Sequence, residues 1–362
     1  MGASKLDTHY SVRIQTMKNI SKFQKKILGW YQAAKRDLPW RQTKDPYKIL
    51  VSEIMLQQTQ VDTVIPYYHR WLKRFPDFEK LAAAEEAEVL KHWQGLGYYR
   101  RAKMLHRNAQ QVCAQHAGKL PQDAQTLLSL PGIGRYTAGA VGSIAFGLKV
   151  PLLDGNVIRI LTRIFAISKN VADKNTLERL WKISKNILPN KNVGDFNQAL
   201  MELGATVCFP RSPNCANCPV SDLCEGHLSG KAESYPVKSP AQKITKMNEH
   251  AFIFRDKENR LLVKKQKTGE RWADLWTLPH FENLNEGLSN FKVKKNDLKK
   301  LRTDKHGFTR YQITLNTFTL GEPLKKIVKK SDYVWMTKKE LSRSTFPAVY
   351  QKIIDGVMQH EH

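Results

Sequence analysis

The chain has 362 residues, with 59 Lys and Arg against 33 Asp and Glu and a formal net charge of +26. That length suits two or three domains with a sizeable core, and so basic a balance predicts a polyanionic partner. An anionic membrane is the competing partner, but no apolar run reaches the roughly 18 residues of a membrane span, and no charged-then-apolar segment resembles a leader; a soluble intracellular protein is expected.

In chain order, residues Met1 to about Ile14 are polar and read as a loose start. From Ile20 to Asp37 the apolar positions Phe23, Ile27, Trp30 and Tyr31 recur at helical spacing. Leu38-Pro39-Trp40-Arg41 breaks that helix. Asp45-Pro46 opens another, predicted to run from Tyr47 to Val61. Helical periodicity continues through Val64–Phe75, Ala83–Trp93 and Arg100–His116. Gly95-Leu96-Gly97-Tyr98-Tyr99-Arg100-Arg101 separates the last two. A tyrosine here could wedge into a base stack while the arginines hold phosphates; a capping turn with surface aromatics is the alternative.

Asp123 to Leu130 is amphipathic, and Thr137–Phe146 is apolar and rich in small residues. Between them, Pro131-Gly132-Ile133-Gly134 reads as a hairpin joining two helices. Pro131 ends the first helix, and Gly132 and Gly134 are expected to adopt backbone angles that a side chain would forbid. The second helix then presents free N–H groups, a site for a phosphate of a nucleic-acid backbone. A ligand-free helix–helix turn is the plainer reading.

Two carboxyls stand out. Glu53 lies among Ile49, Leu50, Val51, Ile54, Met55 and Leu56. Burial there would raise its pKa toward neutrality and make it a general acid; a narrow solvated stripe with Ser52 and Gln60 is the alternative. Asp154, in Leu153-Asp154-Gly155-Asn156, precedes the helical pattern of Val157, Ile160, Leu161, Ile164 and Phe165, so it reads as an N-cap. At a helix start it is expected to stay ionised. A neutral acid beside an anion is the pair that hydrolysis of a glycosidic bond needs.

Leu177–Leu188 and Phe196–Val207 give two more helices. Four of the five cysteines then crowd together as Cys208, Cys215, Cys218 and Cys224, while Cys113 stands alone in a helical stretch. Disulfides fit such usage poorly. Zinc sites generally pair two Cys-x-x-Cys knuckles; one such knuckle with short flanking loops favours an iron–sulfur cluster over zinc.

Ser229 to Met247 loses periodicity and reads as a linker. Beyond it the pattern turns to period two. Candidate strands are His250–Arg255, Arg260–Lys265, Tyr311–Leu320 and Tyr333–Trp335, with helices over Thr337–Leu341 and Pro347–Met358. Trp272–Pro279 is an aromatic-rich turn. The lysine runs Lys292–Lys300 and Lys325–Lys330 read as solvated loop or helix face. The fold expected is a mainly helical region, residues 1–228, with the hairpin at about 123–146 and the cysteine loop at 208–224. A linker over 229–247 leads to a small α+β domain over 248–362.

Leu38-Pro-Trp-Arg41, Ser52-Glu-Ile-Met-Leu-Gln-Gln-Thr-Gln-Val61, Gly95-Leu-Gly-Tyr-Tyr99, Leu130-Pro-Gly-Ile-Gly-Arg-Tyr-Thr-Ala-Gly139, Leu153-Asp-Gly-Asn156 and the four-cysteine loop together resemble the MutY-type adenine DNA glycosylases of the helix-hairpin-helix superfamily, in a bacterial form. The resemblance spans nearly the whole chain and weakens beyond about residue 228. It implies a monofunctional enzyme, monomeric and cytoplasmic. Its substrate would be double-stranded DNA, from which it removes adenine mispaired with 8-oxoguanine or guanine, and its cofactor a [4Fe-4S] cluster on Cys208, Cys215, Cys218 and Cys224. Glu53 matches the family's acid at N7 of the flipped adenine, and Asp154 the carboxylate that meets the oxocarbenium-like sugar. Tyr136 and Asn156 match residues flanking that centre. Gln58 and Tyr98 match residues inserted in the duplex, and Trp40, Arg41, Leu56, Val61 and Gln198 positions around the adenine. Endonuclease III-like lyases carry lysine where Tyr136 stands, and a phenol forms no Schiff base; thymine-mismatch relatives also carry tyrosine there. The C-terminal domain resembles a Nudix-like 8-oxoguanine reader. Its Glu-rich helix is absent from the sequence, so pyrophosphate hydrolysis is not expected. Phe308-Thr309-Arg310 aligns with the reading loop, with Arg310 in place of a histidine.

Overall fold

A computed structural model describes residues 20–240, 243–308, 310–324 and 332–359. They form two compact units: one reaches to Ala83 and resumes from Met104 to Pro240, the other joins Ala84–Lys103 to the chain beyond Ala241. The segments before Ile20 and over Lys325–Lys330 lie outside the described residues. Among the described residues no helix is long and apolar enough to cross a membrane.

Among the described residues every regular element of the first unit is helical. It begins with α1 (Ile20–Ala34), a short turn of helix at Pro39–Arg41, α2 (Pro46–Met55), α3 (Val61–Arg74) and α4 (Phe78–Ala82). Helix α5 (Glu86–Trp93) belongs to the second unit, as does the first turn of α6 (Arg100–His116). Then follow α7 (Ala124–Ser129), α8 (Arg135–Phe146), α9 (Gly155–Ile164), α10 (Lys174–Asn186), α11 (Val193–Thr206) and α12 (Glu225–Leu228). Phe23, Ile27 and Tyr31 give α1 its buried stripe, as their spacing predicted. Helix α2 starts where expected because Asp45 accepts from the N–H groups of Tyr47 and Lys48, with Pro46 in the first position.

The long helix predicted from Tyr47 to Val61 is not formed. It stops at Met55, and Gln58 turns the chain with φ 56° before α3 begins. Gln57-Gln58-Thr59-Gln60 has no apolar face to bury, so packing does not hold it helical. The α7–α8 hairpin is present, but only one of its glycines needs the left-handed region. Gly132 has φ 75°, and a Cβ on it would stand 2.8 Å from Met104 Cβ. Gly134 is extended at φ −92°, ψ 178°, with open space around it. The expectation for Gly134 is therefore corrected: any residue could take that backbone, and a Cβ there would meet no other atom within 4 Å.

Helix α11 is the central strut, packed on α1, α8 and α9, while α2 packs on α8. Small residues let these backbones close up: a Cβ on Gly139 of α8 would lie 2.1 Å from the Pro151 carbonyl oxygen. The start of α9 is thereby carried to the same place as the middle of α2 and α11.

In the second unit two sheets form. One has the order β4 (His280–Phe281), β1 (Thr245–Ile253), β6 (Tyr311–Leu320) and β5 (Leu298–Phe308), with β1 and β6 parallel. The other has β3 (Trp276–Thr277), β2 (Leu261–Lys265) and β7 (Tyr333–Met336). Helices α13 (Leu284–Phe291), α14 (Lys338–Arg343) and α15 (Ala348–Gln359) complete it. Ala251, Ile253, Leu315, Tyr350 and Ile353 form one core, and Phe252, Phe254 and Phe291 another. The Trp272 turn packs edge-on against Tyr350 at 5.2 Å. Strand β5 was missed and its start read as part of a lysine run. It lies at the sheet edge, where charged side chains blunt pairing with other chains, so it lacks a hydrophobic signature.

Candidate active site

The first unit holds a hollow of about 860 Å³, within the range of ligand pockets. Glu53 from α2, Tyr136 from the first turn of α8 and Asp154 with Asn156 at the start of α9 all line it. Trp40, Arg41, Leu56, Gln58, Val61 and Gln198 line it as well, and so do Gly132 and Gly134 of the hairpin. Twelve positions singled out from the sequence thus converge on one cavity. Tyr98 does not line it and belongs to the second unit. Phe308 pairs with Tyr311 at the β5–β6 hairpin, and Thr309 lies outside the described residues.

Glu53 is 5% exposed. Burial raises its pKa to about 7, the charge of Asp154 adds to that, and a hydrogen bond from Tyr136 and the charge of Arg41 oppose it. Tyr136 Oη donates to Glu53 Oε2 at 2.5 Å and lies 3.3 Å from Met201 Sδ. Burial, then the two carboxylate charges, hold the phenol well above its ordinary pKa, so it stays protonated.

Asp154 is the N-cap of α9: Oδ1 accepts from Val157 N at 2.7 Å, and Oδ2 from Asn156 Nδ2 at 2.9 Å. A helix start was expected to keep Asp154 ionised. Burial pushes its pKa upward, against the Val157 and Asn156 bonds and the Arg159 charge. Even so, Asp154 has more donors than Glu53, so of the two the negative charge belongs on Asp154 and the proton on Glu53.

Behind Asp154 a chain of bonds leads to the cysteine loop. Arg159 donates to Asn156 Oδ1 and the Gly204 carbonyl, each at 2.8 Å, and through Nε to the Cys208 carbonyl at 2.8 Å. Gly204 is required there, since a Cβ would lie 2.5 Å from Asn156 Cβ. The far wall holds Glu202, 1% exposed. It accepts from Arg36 N, Nε and Nη2 and from Arg41 Nη2 at 2.7 to 2.9 Å. Burial pushes this carboxyl up, but the Arg36 and Arg41 bonds outweigh it and bring it to about 2. Arg36, Arg159, Glu202 and Gly204 were not singled out from the sequence. The one available signal was an acid, Glu202, set between Leu200 and Leu203 on an apolar helix.

All four clustered cysteines line a second, smaller hollow. Arg163, 1% exposed, donates to Cys208 Sγ at 3.1 Å and to the carbonyls of Phe209, Pro210, Ala232 and Tyr235. Burial pushes the Cys218 thiol up to about 11 and raises Cys215 and Cys224 too, so these ligands are neutral until a metal deprotonates them. Among the described residues no three His, Cys, Asp or Glu side chains converge as a single ion requires. Four sulfurs around one hollow, with a guanidinium beside them, fit a larger anionic cluster better than zinc.

Comparison with known proteins agrees. Residues 51–186 match the HhH-GPD superfamily of base excision DNA repair proteins, 208–224 the iron–sulfur binding domain of endonuclease III, and 250–356 the NUDIX domain. The helical unit is that of a base excision DNA repair glycosylase whose four cysteines carry a [4Fe-4S] cluster. The adenine DNA glycosylase of Buchnera aphidicola (subspecies from Acyrthosiphon pisum) is 35% identical over 340 residues, 92% of this chain and 97% of that protein. The human adenine DNA glycosylase is 45% identical over 214 residues, which are 57% of this chain but 39% of the human protein. The structure of a thermostable thymine-DNA glycosylase aligns with 59% of this chain and 99% of its own at 32% identity, with a TM-score of 0.55. The chain belongs to the adenine DNA glycosylase family.

Proposed function

We propose that this chain removes adenine mispaired with 8-oxoguanine or guanine from double-stranded DNA, by hydrolysis of the N-glycosidic bond and without a lyase step. The observation that carries this reading is the buried Glu53 carboxyl, poised near pH 7, in the same hollow as Asp154. Opposite protonation states of two carboxyls are what acid-assisted glycosidic cleavage needs.

An extruded adenine enters the hollow, and unstacking is least costly at a mispair. Trp40, Leu56, Val61 and Gln198 wall the base. Glu53 gives its proton to N7, the C1′–N9 electron pair leaves with the base, and Asp154 stabilises the cationic sugar. Water adds at C1′ and yields a proton to a carboxylate. Asn156 holds Asp154 in place. Tyr136, a phenol bonded to Glu53, offers no amine for a Schiff base, so the strand stays intact. Gln58 and Tyr98 fill the duplex. The start of α8, with the open space around Gly134, takes a backbone phosphate, and Phe308 and Thr309 read the opposite base. The cluster, when bound, gives its loop structural support.

Such a protein works as a monomer on chromosomal DNA in the cytoplasm. A labelled duplex tests the reading: adenine release opposite 8-oxoguanine and guanine, with strand breakage only after alkali, is expected. Borohydride trapping of an enzyme–DNA adduct would overturn it in favour of a lyase.

A further inference from the structure

The turn between α5 and α6 is an unfavourable backbone held in one shape. Gly95 and Gly97 have φ of 104° and 71°, and Tyr98 follows with φ 47°. A non-glycine residue there costs about 1–3 kcal/mol unless its surroundings fix it. Tyr98 is 50% exposed, so its own side chain is not buried enough to do so. What lies against the turn is Arg101. Its Nη2 donates to the carbonyls of Leu96 and Gly97, both at 3.2 Å. The Gly97 carbonyl also accepts from Trp93 Nε1 at 3.0 Å. The guanidinium lies 5.2 Å from the Trp93 ring centroid and 5.6 Å from that of Tyr98, and the Arg101 N–H donates to the Tyr98 carbonyl at 2.8 Å.

Two adjacent arginines follow Tyr98 and Tyr99, and the sequence suggested phosphate contacts for both. The structure separates them. Arg100 is exposed. Arg101 puts its Nη2 donor on two carbonyls of the turn and its guanidinium beside two rings, a geometry that lysine cannot reproduce. We infer that Arg101 is a positioning residue that holds Tyr98 ready for insertion, and does not contact a phosphate. The inference rests on the function proposed above.

The test is a coupling measurement in the full-length, cluster-loaded protein. Single-turnover adenine release and 2-aminopurine fluorescence, which reports unstacking beside the mispair, are followed for Tyr98→Ala, Arg101→Gln, Arg101→Lys and the Tyr98→Ala/Arg101→Gln double variant. Loss of a two-carbonyl clamp slows extrusion and release by about tenfold in Arg101→Gln, with partial recovery in Arg101→Lys. In the Tyr98→Ala background Arg101→Gln changes neither signal, because the group it positions is gone. A merely structural role would slow both backgrounds equally, and that result overturns the proposal. So does an unchanged rate in Arg101→Gln, or a uniform loss of affinity for paired and mispaired duplex with a salt slope shallower by about one. Should Arg101→Gln fail to fold, Arg101→Lys with its own double variant reads the same coupling. Failure of the unsubstituted chain to release adenine sinks the function reading instead; release with additive variants sinks only the role of Arg101.

Discussion

Glu53 and Glu202 line one hollow, and both are almost fully buried, yet they end in opposite states. Glu53 is raised to about 7 and Glu202 lowered to about 2. Burial is the leading influence on each and acts upward on both. The difference is in the donors. Glu202 has the Arg36 and Arg41 guanidinium groups and a backbone N–H; Glu53 has one phenol. Depth alone therefore does not make an acid. A buried carboxyl becomes a proton donor where the structure withholds cations, and a strut where it supplies them.

The largest effect expected from that contrast is on catalysis. Glu53→Gln keeps the shape and a hydrogen-bond acceptor for Tyr136 but has no proton to give, so adenine release in single turnover should fall by at least ~10³-fold. Glu202→Gln carries no proton lost to the reaction and should leave a measurable rate wherever it folds. Equal loss in both would break the contrast. Above pH 7 the unsubstituted protein should also lose about tenfold in rate per pH unit as Glu53 ionises.

Next comes the strut. Arg41 is only 11% exposed at its side chain and bonds Glu202 Oε2 at 2.7 Å. Arg41→Ala leaves a buried carboxylate short of one cation, a loss of roughly 3 kcal/mol read by denaturant unfolding. Adding Glu202→Gln removes the stranded charge and should restore part of that stability. No recovery would mean that Arg41 acts through its packing on Tyr31, where its guanidinium lies 5.5 Å from the ring centroid.

These same residues show what a sequence can carry. Burial of Glu53 was legible because apolar residues flank it on nearly every helical face, and the N-cap at Asp154 because capping is local. Glu202 was not, because its partners Arg36 and Arg41 lie far away along the chain and only the packing of α11 on α1 brings them together. The upward push on Asp154 was missed for a related reason: a helix start is a local fact, and a shared cavity is not. In the second unit the strands with apolar alternation were found, while β5, a charged edge strand, was not. Closure of α2 at Met55 was missed because periodicity reports which face is buried and not where packing ends.

A subtler effect separates the two carboxyls by stability. The pKa of Glu53 is raised in the folded protein, so folding favours its neutral form. The stability tied to that form is fully present below the ordinary carboxyl pKa of 4.5 and is lost as pH rises through about 7. Glu53→Gln escapes that loss. It should unfold at the same denaturant concentration as the unsubstituted protein near pH 4.5, and be more stable by about 2–3 kcal/mol at pH 8. Glu202, whose pKa is lowered, gives the opposite profile, with its stability present above 4.5 and lost toward pH 2. A Glu53→Gln protein no more stable than its parent at pH 8 would mean that Glu53 is ionised at little cost.

The smallest expected effect joins the two ends of the hollow. Helix α11 carries Glu202 and, two residues on, Gly204, whose missing Cβ makes room for Asn156. Gly204→Ala forces a methyl group to 2.5 Å from Asn156 Cβ, which the helix propensity gained by α11 offsets only in part, so a net loss of about 1–3 kcal/mol is expected. The rate should fall as well, because Asn156 is displaced and with it the donor to Asp154 Oδ2. A drop of about tenfold in adenine release with Glu53 still titrating near 7 would place the damage at Asp154 alone. If instead the pH midpoint moved with the rate, the two carboxyls would be coupled through the hollow so tightly that donor count at one of them could not be varied independently of the other.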